Sequence, residues 1–202
     1  MDSLKNIYWQ DKQTEKVVFL IVTIINMLPI LMVKHFGSMD SPQHLYVSTV
    51  IGELWTNNEL FQQFFKINDI PVGNWTGHFL LTVYNLILPG WIAEKLLFIT
   101  YFLGIAYSFR YLIISIRGNP TYMTLLILPF SYTSLFLFGY YNFSLAFIPF
   151  FLCFGYWINI ENNLSIKKTI VLALLITILY FSHIFVFTFF GLSLIIYVIY
   201  NF

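Results

Sequence analysis

The chain has 202 residues, of which 59% are hydrophobic, 21% aromatic and only 9% charged, and its mean hydropathy is +0.78. A soluble domain commits about a quarter of its residues to charge because its surface faces water. So sparse a complement excludes a soluble enzyme and a disordered segment, and 10 Lys plus Arg against 9 Asp plus Glu leave no basic excess for nucleic acid. The single cysteine, Cys153, excludes an internal disulfide framework and any paired-cysteine metal or redox motif.

The fold class that fits is an all-α polytopic membrane protein. Its first apolar run, residues 17–33, lies between Lys16 and Lys34. It is near the lower limit of about 17 residues for a hydrocarbon core of about 30 Å. No small-residue cleavage site follows, so it reads as a retained signal-anchor. Residues 34–95 form a loop with structure of its own. Asp40-Ser41-Pro42-Gln43 carries helix-start signals: a capping residue, an early proline, and Gln three places after Asp. Val47, Val50, Ile51, Leu54, Phe61, Phe64 and Phe65 follow helical spacing and predict an amphipathic helix in the membrane interface. Trp55, Trp75 and Trp91 suit headgroup level. Residues 79–88 are apolar, but a helix of that length reaches only about 15 Å, half the core. They are expected to make a second interfacial helix.

Further along, residues 96–116 are long enough to span, and Arg117-Gly118-Asn119-Pro120 is a turn. Apolar runs 122–138 and 140–158 meet at Gly139, residues 161–168 form a polar loop, and 169–202 are apolar almost throughout. The expectation is one domain over 1–202 with about five spans. If residues 79–88 do not cross, Lys5, Lys12, Lys16, Arg110, Arg117, Lys167 and Lys168 share one side, against Lys34, Lys66 and Lys95. The positive-inside rule then puts the N-terminus in the cytoplasm and residues 34–95 outside.

The unusual polar residues gather on the outer side. Asp40 is both a helix cap and a candidate general base, since a carboxylate at a helix N-terminus is oriented and kept ionised there. His44, one turn on, shares its face and either meets a phosphate or lines the interface. His78 opens the short helix. His183 lies in the outer half of the last run, where an ionisable side chain is either functional or satisfied by Ser182 and Tyr180. Glu53 and Glu59 read as solvated-face residues. No Asp-x-Asp, His-x-x-x-His or His/Cys cluster implies a metal, and no glycine loop implies a nucleotide, so no cofactor is expected.

Met39-Asp40-Ser41-Pro42-Gln43-His44-Leu45-Tyr46 resembles the Asp-x-Pro-x-His-Leu-Tyr string of a bacterial group within the GT-C superfamily of membrane glycosyltransferases. Protein O-mannosyltransferases and lipid A aminoarabinose transferases belong to that superfamily. Asn74-Trp75-Thr76-Gly77-His78, Ala93-Glu94-Lys95-Leu96-Leu97 and Gly139-Tyr140-Tyr141-Asn142-Phe143 look like the same group, in the same order. The resemblance implies transfer of a sugar from a polyprenyl-phosphate-linked donor to an acceptor hydroxyl on the extracytoplasmic face of the bacterial inner membrane. It makes Asp40 the catalytic base, with His44, His78, Lys95, Asn142 and His183 as substrate-binding residues and no metal. Donor and membrane lipid are the implied partners. The chain departs from the protein mannosyltransferases at the hinge 138–142, which holds no acid. It also ends at Tyr200-Asn201-Phe202 within an apolar run, which reads as an N-terminal fragment.

Two other readings stay open. A transporter or flippase of a lipid-linked sugar would use the helix interruptions at Pro129 and Pro149. A non-catalytic subunit or truncated remnant would use the aromatic surface for packing alone.

Overall fold

The computed structural model describes residues 12–201 except Asp69 and Pro71, so Lys5 and Phe202 lie outside the described residues. The helices are α1 (Lys12–Met32), α2 (Ser41–Trp55), α3 (Glu59–Gln62), α4 (Thr76–Asn85), α5 (Gly90–Arg117), α6 (Ser134–Phe138), α7 (Tyr141–Ile160), α8 (Ile166–Ser182) and α9 (Ile184–Asn201). Two 3-10 turns, Tyr122–Leu125 and Leu128–Phe130, precede α6. No strand occurs among the described residues.

Side-chain contacts fix the direction of each helix. α1 and α5 are antiparallel. Arg110 Nε donates to Glu15 Oε1 at 3.0 Å at one end, and Lys95 Nζ donates to Val33 O at 2.7 Å at the other. α7 runs parallel to α5, with Gly104 against Ile148, Gly155 against Tyr111, and Asn159 Nδ2 donating to Ser115 Oγ at 2.8 Å. Residues 121–138 make the return pass between them. Thr124 donates to Glu15 (3.0 Å), Asn26 Nδ2 to Leu128 O (3.0 Å), and Met39 N–H to Leu137 O (3.1 Å). The bundle therefore has a Glu15 end and an Asp40 end.

Among the described residues, α1, α5, α7 and α9 are long and apolar enough to cross a membrane, with Tyr122–Phe138 a shorter apolar stretch. The chain is a polytopic α-helical membrane protein. Its core is aromatic: Phe98, Phe102 and Phe136 are essentially inaccessible, and Tyr101 stacks on Phe136 with ring centroids 4.8 Å apart. Its periphery is also apolar, with Ile21 and Ile25 on α1 and Phe185, Ile196 and Ile199 on α9 exposed. Lipid is the solvent that accepts such a surface.

Three elements differ from expectation. The amphipathic helix expected through Phe65 stops at Trp55, because Asn57 adopts φ +60, a conformation asparagine tolerates, and α3 restarts two residues later. Tyr122–Phe138 is not one helix but 3-10 turns and the short α6, with Pro129 inside the second turn. The last run breaks at His183, which is extended at φ −165 and ψ 125. α9 then doubles back along α7: Phe190 meets Phe150, and Tyr197 donates to Glu161 at 2.7 Å. The expected last span is thus a helical hairpin. α4 stays at the Asp40 end, packed on α2 and α5, and its Tyr84 hydroxyl lies 3.0 Å from that of Thr100.

Candidate functional site

Asp40 stands directly before α2, whose second residue is Pro42; proline costs nothing there because its missing N–H would go unused. The turn that leads into α2 pairs with the hinge before α7: Met39 N–H meets Leu137 O and Asp40 N–H meets Phe138 O at 3.2 Å. Gly139 turns the hinge at φ +100, and a Cβ there would lie 2.7 Å from Asp40 Cβ. Only glycine lets the two chains approach this closely. Asp40 occupies the cap position as expected, but its carboxylate makes no capping bond to α2. The residue is exposed, and its carboxylate takes no hydrogen bond from a described residue.

His44 lies one turn into α2 and sends its backbone N–H to Asp40 O. Its Nε2 donates to Gly139 O at 2.7 Å, which fixes the ring over the hinge. That ring packs 4.7 Å from Tyr141 and 5.2 Å from His78, at the start of α4. Burial lowers the proton affinity of His44, against smaller opposing pulls from the Gly139 carbonyl and the Asp40 charge. Burial pushes His78 down to about 4, and neighbouring His44 adds to the shift. Both imidazoles are therefore neutral at pH 7. His78 Nδ1 is buried and has no partner. Asn142, in the first turn of α7, accepts from Gly77 N–H at 2.6 Å and so ties α4 to α7 beside His78.

Beneath Asp40 lies a polar network that the sequence did not single out as a site. Glu94 on α5 is only 5% exposed. It accepts from the Ser41 hydroxyl and from Tyr141, whose hydroxyl also meets Ser38. Residues on both sides of Asp40 are thereby fastened to α5 and α7. The signal available was an acid inside a mostly apolar helix, which is costly unless it is bonded.

The structure brings together Asp40, His44, His78 and Asn142, and leaves two expected residues apart. Lys95 points away from Glu94, towards α1, where it binds the carbonyls of Leu31 and Val33 and lies 5.8 Å from the Trp91 ring. The partial negative charge at the C-terminus of α1 accounts for that position. His183 sits at the α8–α9 bend against Phe143, at a centroid distance of 5.1 Å. Its neighbour Ser182 bonds Thr76, but its own Nδ1 is buried without a partner. Among the described residues no three His, Cys, Asp or Glu side chains gather as a metal-binding set.

The arrangement offers a carboxylate open to solvent beside two neutral imidazoles, where α2, α4 and α7 meet. Comparisons with protein-family models, with curated proteins and with solved structures find no match to this chain.

Proposed function

We propose that the protein is a membrane glycosyltransferase of the GT-C type, moving a sugar from a polyprenyl-phosphate-linked donor to an acceptor hydroxyl at the Asp40 end. The observation that carries this reading is an exposed carboxylate, free of internal bonds, whose backbone is pinned on both sides. Asp40 takes the proton of the acceptor hydroxyl as its oxygen attacks the anomeric carbon, and the bond from that carbon to the phosphate oxygen breaks. The departing phosphate keeps the electron pair. Its charge favours protonation of His44 and His78, which then hold it by charge-assisted hydrogen bonds. No covalent sugar–enzyme intermediate is needed, because phosphate is already a good leaving group and positioning supplies much of the rate.

The reading places the Glu15 end in the cytoplasm of a bacterial cell. Lys16, Arg110, Arg117, Lys167 and Lys168 lie there, against Lys34, Lys66 and Lys95 at the other end. One observation favours a lipid-linked-sugar transporter instead: the irregular pass at 122–138, since broken helices line many transport sites.

The test reconstitutes the purified chain in vesicles with a synthetic polyprenyl-phosphate sugar and a panel of hydroxyl acceptors. Asp40→Asn should lower transfer by about 100-fold or more, the range of general-base catalysis, without altering unfolding. Transfer unaffected by the substitution refutes the assignment. Donor crossing the bilayer without transfer, in both proteins, favours the transporter.

A further inference from the structure

A second polar site lies between α2 and α4, away from Asp40. The cleft there has a volume of about 190 Å³ and is lined by Ser48, Thr49, Glu53, Thr56 and Asn85, among others. At about 30 Å³ per water-sized group it holds a ligand fragment of roughly six such groups.

Its hydrogen-bonding capacity is one-sided. Ser48 and Thr49 both donate to Leu45 O, at 2.8 and 3.0 Å. Asn85 Nδ2 spends its two hydrogens on the oxygens of Ser48 (3.3 Å) and Thr49 (3.0 Å). Thr56 donates back to the carbonyls of its own helix at 3.1 Å, and Thr82 donates to His78 O at 2.7 Å. Each of these side-chain donors is committed within the protein. The acceptors are not. Glu53 uses Oε2 for Asn58 Nδ2 at 2.7 Å, while its Oε1, the Asn85 Oδ1 and a Thr56 lone pair take no bond from a described residue.

We infer that this cleft binds a primary ammonium group. A ligand that only donates, and carries positive charge, matches three spare acceptors of which one is a carboxylate. A sugar would need donors as well as acceptors, and an anion would meet Glu53. A quaternary ammonium has no N–H to give, and the lining offers no aromatic ring to cage it. The ammonium belongs to a free small amine or to the ethanolamine headgroup of a membrane lipid. The inference does not depend on the role of Asp40.

Titration calorimetry on the full chain in micelles, with ethanolamine as the probe and choline, glucose and phosphate as controls, tests it. Ethanolamine should bind, the three controls should bind at least tenfold more weakly, and Glu53→Gln or Thr56→Val should weaken ethanolamine at least tenfold and threefold respectively. A parallel arm incorporates the protein in nanodiscs of phosphatidylethanolamine or phosphatidylcholine and follows retained lipid by native mass spectrometry. Retention of phosphatidylethanolamine that Glu53→Gln abolishes, without binding of free ethanolamine, assigns the headgroup as the source. Binding of choline or glucose as tight as ethanolamine, indifference to both substitutions, or no binding in either arm overturns the inference.

Discussion

Gly139→Ala strikes the contact that seats Asp40. The hinge has φ +100, where a side chain costs about 1–2 kcal/mol in backbone strain. The added methyl would also stand 2.7 Å from Asp40 Cβ and 3.0 Å from Asp40 N, and the backbone atom cannot swing aside as a flexible side chain would. Overpacking of this kind costs about 1–3 kcal/mol, so the expected total is about 2–5 kcal/mol. Gly118→Ala is the internal control. Gly118 also has positive φ, +74, but a Cβ there meets nothing within 4 Å, so only the strain of about 1–2 kcal/mol applies. Denaturant unfolding of both variants in micelles, followed by tryptophan fluorescence, isolates the clash as the difference between them. Equal destabilisation would show that the hinge does not bear on Asp40, and would refute the reasoning.

Stability should depend on pH through the histidine pair. The unfolded chain takes up protons near 6.5 and the folded His78 only near 4, so folding is fully supported above 6.5, weakens as pH falls through that window and levels off near 4; unfolding midpoints of wild type and His78→Phe across pH 4–8 check this, the variant giving the flatter profile. At the other end of the bundle, Glu15→Ala leaves the nearly buried Arg110 without its carboxylate and should cost about 3–5 kcal/mol, while the double change Glu15→Leu with Arg110→Leu recovers most of it. Unfolding in micelles reads both, and a double variant no more stable than the single one contradicts the desolvation account.

Much of the fold follows from run length and flanking charge. α1, α5 and α7 are built around the apolar runs 17–33, 96–116 and 140–158, although α1 and α5 start five or six residues before them, and α4 lies at one end because ten residues are too short to cross. The bend at His183 left no local mark: no glycine, proline or polar run surrounds it, and only the length of the final stretch, about 50 Å as a single helix, argued against one pass. The site was legible where its residues are close in sequence, as in Asp40 with His44. The approach of His78 to His44 and of Glu94 to Ser41 depends on how α4 and α5 dock against α2, and spacing along the chain does not encode that. Lys95 shows the converse. Its charge marked it for a phosphate, but packing turned it to the end of α1.

The central claim is that the Asp40 end faces away from the cytoplasm. Gln62 in α3 and Asn162 in the α7–α8 turn are both exposed, and Cys153 is buried and gives no background to thiol labelling. Intact cells carrying Gln62→Cys or Asn162→Cys are treated with a membrane-impermeant maleimide. Labelling of Gln62→Cys in intact cells, with Asn162→Cys reacting only after permeabilisation, is the result this account predicts. The opposite pattern would put the Asp40 carboxylate in the cytoplasm and contradict it.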